Sequence, residues 1–125
     1  AECMDRLAIG RHAEECAVRS LQRRGAEVLI RNYRRRSGEL DIVARDGEEL
    51  IIVEVRLRAS DDFGGAAASV TGLKQARIVR TARQLLQQQR ALRSLRVRFD
   101  VAVVRPSDDP DWPVEWIRHA FDCRA

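Results

Sequence analysis

The sequence predicts a single α/β domain over residues 1–125, built as a mixed central sheet flanked by helices. Three observations predict it. Apolar residues recur at three- and four-residue spacing in two stretches, near 5–24 and 70–93. Short β-rich or alternating runs fill the intervals at 27–34, 38–45, 50–58 and 97–104, with a further short run at 114–121. The second helical stretch lies between the runs at 50–58 and 97–104, which is the crossover that parallel neighbours require. The predicted order is α-β-β-β-α-β-(β).

Each element has its own signal. In the first helix Gly10, Ala13, Ala17, Val18 and Leu21 form the inward stripe, and Gly25 is the stop. The first strand takes its β character from Val28, Leu29, Ile30 and Tyr33, and Ser37-Gly38 breaks it. The second alternates, with Glu39, Asp41 and Val43 on one side and Leu40, Ile42 and Ala44 on the other. Asp46-Gly47 is a hairpin turn. The strand from Leu50 begins as a nearly continuous apolar run, which predicts a central position. Asp61 to Gly65 reads as a loop. The second helix presents Leu73, Ala76, Ile78, Val79, Ala82, Leu85 and Leu86 inward and most of its cations outward. Arg105-Pro106 ends the following strand, and Ser107 to Pro113 reads as a loop.

Composition narrows the function classes. Hydrophobic residues make up 45% and charged residues 34% of 125, which is the balance of a folded, water-facing chain. No apolar stretch approaches the ~20 residues of a membrane span, so no membrane partner is expected. Ala1 to Asp5 shows neither the basic nor the apolar region of a secretory leader. Three cysteines without C-x-x-C spacing argue against a zinc site or a disulfide framework, and a cytoplasmic location is expected. Net charge is +4. Residues 105–125 set Arg105, Arg118 and Arg124 against five acids, so the basic excess lies in the preceding 104 residues. A basic body favours polyanions, nucleic acid above all. Lys74 is the sole lysine among 23 basic residues. Aromatic residues total 5%, too few for a platform that stacks single-stranded bases.

The chemistry-bearing feature is a pair of acids on paired strands. A tight turn sets Asp41 opposite Ile52, and a loop two residues longer sets it opposite Glu54. The shift is even, so the two acids share a sheet face either way, with Arg56 following on it. Opposed carboxylates repel without a cation. Glu54 also interrupts the apolar run Ile51, Ile52, Val53 and Val55, where an unpaired carboxylate is costly. Mg²⁺ or Mn²⁺ suits such a hard oxygen pair. A surface network pairing Glu54 with Arg34 or Arg58 accounts for the same spacing, since charged strand faces are common.

Gly38-Glu39-Leu40-Asp41 followed by Ile52-Val53-Glu54-Val55-Arg56 resembles the split acidic motif of the PD-(D/E)xK nuclease superfamily. More closely, the chain resembles the YraN-like family of bacterial proteins, related in fold to Holliday junction resolvases. The ordered matches are Gly10-Arg11-His12-Ala13-Glu14, Arg31-Asn32-Tyr33-Arg34, Gly38 to Val43, Val53 to Arg58, Phe63-Gly64, Lys74, Arg98-Phe99-Asp100-Val101 and Ala120-Phe121. The resemblance implies a restriction endonuclease-like three-layer domain. It also implies metal-assisted phosphodiester hydrolysis on nucleic acid, with DNA favoured over RNA. It makes Asp41 and Glu54 metal ligands together with the carbonyl of Val55, and Glu14 an additional acid from the first helix. Glu39 is a weaker candidate.

Arg56 departs from the family pattern, which has lysine there. A guanidinium does not serve as a base, though it can hold phosphate or stabilise developing negative charge. Lys74 is a substitute amine if its helix start faces the site, and otherwise an ordinary surface residue. Arg34, Arg35 and Arg36, together with Lys74, are the expected phosphate contacts. Arg77, Arg80 and Arg83 read as a solvated face. Two further readings stand: a binding module that keeps the fold with catalysis lost at Arg56, and an interaction protein that dimerises through the second helix. A homodimer also suits a nuclease that addresses two strands.

Overall fold

The structure is a computed structural model and describes residues 5–58 and 70–123. Helix α1 spans Arg6–Arg23 and is capped by Asp5, whose carboxylate accepts from the Ala8 amide at 2.7 Å. It ends where Gly25 turns to φ +87° and the Ala26 amide closes back on the Leu21 carbonyl at 3.0 Å. Three strands follow as an antiparallel meander: β1 (Glu27–Arg35), β2 (Gly38–Asp46) and β3 (Glu49–Leu57). Helix α2 (Gly72–Gln88) and a short 3₁₀ turn (Arg90–Leu92) lead to β4 (Arg96–Val104), parallel to β3. The last strand, β5 (Val114–Phe121), runs antiparallel to β4.

The sheet order is β1-β2-β3-β4-β5, so the apolar β3 is central as its sequence requires. Leu50, Ile51, Ile52 and Val53 are all buried because both faces of the sheet are covered. On one face Ala17, Val18 and Leu21 of α1 pack against Ile42, Ala44, Ile51 and Val53. On the other, Ile78, Val79, Ala82 and Leu85 of α2 pack against Leu40, Val43, Leu50 and Ile52. Burying each valine, leucine or isoleucine among these contributes about 1.5–3 kcal/mol relative to exposure. The result is the expected α/β sandwich of helix, mixed sheet and helix, consistent with a three-layer nuclease-like fold.

Three details differ from the sequence expectation. Helix α2 stops at Gln88 rather than near 93, because Gln89 leaves the helical region at ψ 83°. Leu73 is 66% exposed and lies off the core, while Thr81 takes a fully buried place on the inward face. Its hydroxyl bonds the Arg77 carbonyl at 2.8 Å and the Ser37 hydroxyl at 2.9 Å. Gly38 packs so closely here that an added Cβ would lie 3.2 Å from Thr81 Oγ1.

The third difference bears on the site. Leu40 does not share the face of Ile42 and Ala44; it packs with Val43 under α2. Strict alternation forbids this, so the strand reverses phase between Leu40 and Ile42. Its neighbour does the same. Arg31 and Asn32 are adjacent in β1, yet both reach Glu14 of α1, and Tyr33 returns to the α2 face. Asn32 has φ +56°, a left-handed conformation that asparagine tolerates better than most residues. The pairs Arg31↔Ile42 and Tyr33↔Leu40 bracket Asn32 and Asp41, so both strands change phase at one rung. The candidate loop at 61–65, Phe63-Gly64 and Cys3 lie outside the described residues.

A candidate metal-dependent active site

The hairpin closes through a two-residue turn at Gly47-Glu48, one residue later than the Asp46-Gly47 turn expected, and this gives the register that sets the two acids opposite each other. Asp46 pairs with Glu49 and Ile42 with Val53, so Asp41 and Glu54 occupy the next rung. Ladder pairing between β2 and β3 ends at Ile42↔Val53. Beyond it the Val55 amide donates to Asp41 Oδ2 at 2.9 Å in place of a main-chain acceptor. The strands therefore open into a fork with two acids in its mouth. Glu54 is 5% exposed, and burial raises the cost of its charge. The Asp41 carboxyl is pushed up from 3.8 to about 8, by burial first, then by hydrogen bonding with Glu54 and by that acid's charge; the Val55 amide opposes the shift.

Lys74 answers the conditional raised by the sequence. Thr71 caps α2 by accepting from the Lys74 amide at 3.2 Å, and the start of the helix lies beside the fork. Lys74 Nζ lies 2.6 Å from Glu54 Oε2. The contact is an ion pair whose direction is off the hydrogen-bonding geometry. Glu54 Oε2 is buried and has no well-formed hydrogen bond. The surface network with Arg34 or Arg58 does not form: Arg34 pairs with Glu39 at 3.3 Å and Arg58 with Glu115 at 3.6 Å.

Asp41 and Glu39 line two cavities. One, of about 350 Å³, lies against α1 and includes Glu14, Asn32, Arg34 and Val55. The other, of about 230 Å³, lies against α2 and includes Glu54, Lys74 and Arg77. Glu14, the additional acid that the resemblance implies, is turned inward with 13% of its side chain exposed. Arg31 Nε and Asn32 Nδ2 both donate to its Oε1, at 3.0 and 3.1 Å. The remaining candidates separate. Arg35 folds back over the Tyr33 ring, 4.1 Å from its centroid, and bonds Gln88. Arg36 is exposed in the turn, and Arg56 is half-buried and lines neither cavity.

Among the described residues no cluster of three or more His, Cys, Asp or Glu side chains is set to hold a metal ion. Asp41 and Glu54 form a pair, with Glu14 on the far wall of the α1 cavity. A two-acid set suits a hard divalent cation that keeps most of its water. The buried Glu54 Oε2 without a well-formed hydrogen bond fits such a cation.

Sequence reasoning missed two groups. Asn32 was legible as part of a matching motif, but its left-handed turn has no signal in alternation. The second is a buried network behind the site: Asp100 accepts from Arg98, from Trp116 Nε1 at 2.7 Å and from the His119 amide at 3.1 Å. Arg98 also reaches Glu49 at 2.7 Å. Arg98-Phe99-Asp100 reads as a strand with charges on one face, and nothing in its spacing reveals that both charges are buried.

Comparison with known proteins places these residues in a family. The sequence profile of the uncharacterised protein family UPF0102 matches residues 13–104, a span that holds Glu14, Asp41, Glu54 and Lys74. A UPF0102 protein of Frankia casuarinae is 50% identical over 115 residues, covering 91% of this chain and 96% of the relative. One from Nitrosomonas europaea is 44% identical over 113 residues, covering 90% and 92%. One from Cupriavidus taiwanensis is 45% identical over 122 residues, covering 96% and 87%. With the profile spanning most of the chain and relatives matched along nearly their whole lengths, the chain belongs to the UPF0102 family, the family that its ordered motifs resemble under the name YraN-like.

Proposed function

We propose that this chain is a divalent-metal-dependent nuclease that cleaves phosphodiester bonds, with DNA the favoured substrate. The observation that carries the reading is the half-buried Asp41 beside the buried Glu54 at the strand fork, with the sole lysine of the chain next to them. Drawing two adjacent acids out of water is unfavourable for folding, and their proximity to two open cavities supports a catalytic use. Asp41, Glu54 and the Val55 carbonyl would hold Mg²⁺ or Mn²⁺. When bound, the cation supplies positive charge against the two acids and polarises a phosphoryl oxygen.

The protein groups divide the remaining work. Lys74 pairs with Glu54 and presents an ammonium toward the α2 cavity, where it can steady a scissile phosphate. Arg56 lines neither cavity, so this contact falls to Lys74. Glu14, held by Arg31 and Asn32, faces the same cavity as Asp41 and can accept a proton from a water there. Arg34 lines that cavity and meets a neighbouring phosphate, weakly at high salt. Arg35, tied to Tyr33 and Gln88, is the least available of the predicted phosphate contacts.

A second reading is a binding module without catalysis, favoured by Arg56 at the place where the family pattern has lysine. The test is cleavage of labelled four-way junction, flap, duplex and single-stranded DNA with Mg²⁺ or Mn²⁺. The parent is run beside Glu54→Gln, Lys74→Met and Arg56→Lys. Cutting by the parent that is lost in Glu54→Gln and Lys74→Met, and kept in Arg56→Lys, supports the nuclease with Lys74 as its amine. A silent parent beside an active Arg56→Lys variant supports the binding module.

A further inference from the structure

Helix α1 carries an interior glycine that its packing does not require. Gly10 has ordinary helical backbone, and a Cβ built there meets no atom within 4 Å. Glycine inside a helix is destabilising relative to alanine, so neither a close neighbour nor a special backbone angle explains it. What Gly10 does border is the 350 Å³ cavity that runs from α1 to Asp41. Two leucines face water at that cavity, Leu7 at 64% and Leu57 at 42% exposure. Arg6, Arg11 and Arg34 stand around them.

This lining is mixed in a specific way. A duplex presents phosphates outward and keeps its base faces stacked, so it would use the arginines and leave the leucines idle. An unpaired nucleotide presents both an apolar base face and a phosphate. The volume lies at the small end of ligand sites, roughly 300–1,000 Å³, which is room for one nucleotide and no more. We propose that the cavity between α1 and Asp41 is a subsite for a single unpaired nucleotide next to the scissile phosphate, kept open by the bare backbone of Gly10. The proposal rests on the nuclease reading and names the local feature of DNA that its site takes. Leu7 and Leu57 contact the base, the arginines contact its flanking phosphates, and Gly10 determines what fits.

The experiment measures binding with Ca²⁺ in place of Mg²⁺, to keep the DNA uncut. The probes are a duplex with one unpaired nucleotide and the same duplex with an abasic residue at that position, which keeps the phosphates. The proteins are the parent, Gly10→Ala and Gly10→Leu, with Tm recorded for each. The parent is expected to prefer the base-bearing probe by about ten-fold, the scale of burying one or two apolar groups. Gly10→Leu is expected to erase that preference and to leave abasic binding unchanged. Gly10→Ala is expected to raise Tm by about 2–4 °C while narrowing the preference, which separates a cost to the subsite from a failure to fold. Equal binding of both probes by the parent, or a preference that survives Gly10→Leu, overturns the subsite and leaves the nuclease reading standing. A parent that binds neither probe overturns both.

Discussion

Asp100 and Asp41 sit on the same sheet, on β4 and β2, and each has a strong reason not to be buried. Asp100 is fully buried and saturated: the Arg98 guanidinium grips it from the side, and Trp116 Nε1 and the His119 amide take the remaining lone pairs. Asp41 receives one amide and faces a second acid, whose far oxygen meets a lysine at the wrong angle for a hydrogen bond. Two cavities open onto it. Buried charge that is fully paired holds a fold in register. Buried charge that is half-paired and open to solvent is arranged for something that arrives later. The two centres predict opposite responses to the same kind of substitution.

The largest effect is at the saturated centre. Asp100→Ala leaves Arg98 buried with its principal partner gone, and is expected to cost about 3–5 kcal/mol of unfolding free energy. Urea titration measures it. Asp41→Asn is expected to cost none of this at pH 8 and to raise Tm, because it removes a carboxylate that the fold disfavours. Cleavage by Asp41→Asn should fall by at least about 100-fold. Equal stability losses in the two variants would make Asp41 another structural acid.

The pH profile sharpens the contrast. The Asp41 carboxyl has a folded pKa of about 8 against an ordinary 3.8, so between those values the native state holds a proton that the unfolded state has released. Its contribution to stability is complete below pH about 4, declines as pH rises, and is lost above about 8. Thermal melts without divalent metal should show this decline in the parent, and Asp41→Asn should flatten it. Added Mg²⁺ competes with that proton, so the Tm gain from Mg²⁺ is expected to be larger at pH 8.5 than at pH 6. A gain independent of pH would separate the metal from Asp41.

How much of this was legible in the sequence follows from the kind of signal each part leaves. The elements and their order were, because apolar spacing and the Gly25, Ser37-Gly38 and Asp46-Gly47 breaks are local. The acids were, because Glu54 stands out against an apolar run. The reach of Lys74 to Glu54 was readable only as a condition, since it depends on where a helix start lands after the intervening segment. The phase reversal at Asn32 and Asp41 was not readable. Each strand alone looks regular, and only the paired change lets Arg31 and Asn32 both meet Glu14. Asp100 was hidden for a similar reason: its partners Trp116 and His119 come from β5, whose irregular register against β4 between Phe99 and Val101 brings the His119 amide onto it.

The smallest predicted effect uses a feature the two centres share. Each stands beside a non-glycine residue in left-handed backbone, Asn32 at φ +56° by Asp41 and His119 at φ +50° by Asp100. Glycine takes that conformation without the penalty of a Cβ, which is about 1 kcal/mol for most residues and less for asparagine. At Asp100 the working group is the His119 main-chain amide, which glycine keeps. His119→Gly is therefore expected to hold stability within about 1 kcal/mol and to leave cleavage unchanged. At Asp41 the working group is the Asn32 side chain, which holds Glu14 toward the cavity. Asn32→Gly is expected to change stability equally little, yet to lower cleavage several-fold and to weaken its dependence on Glu14, so that Glu14→Gln costs less in the Asn32→Gly background than in the parent. Additive losses for the Asn32 and Glu14 substitutions would show that the left-handed turn serves the strand fork and not the acid it touches.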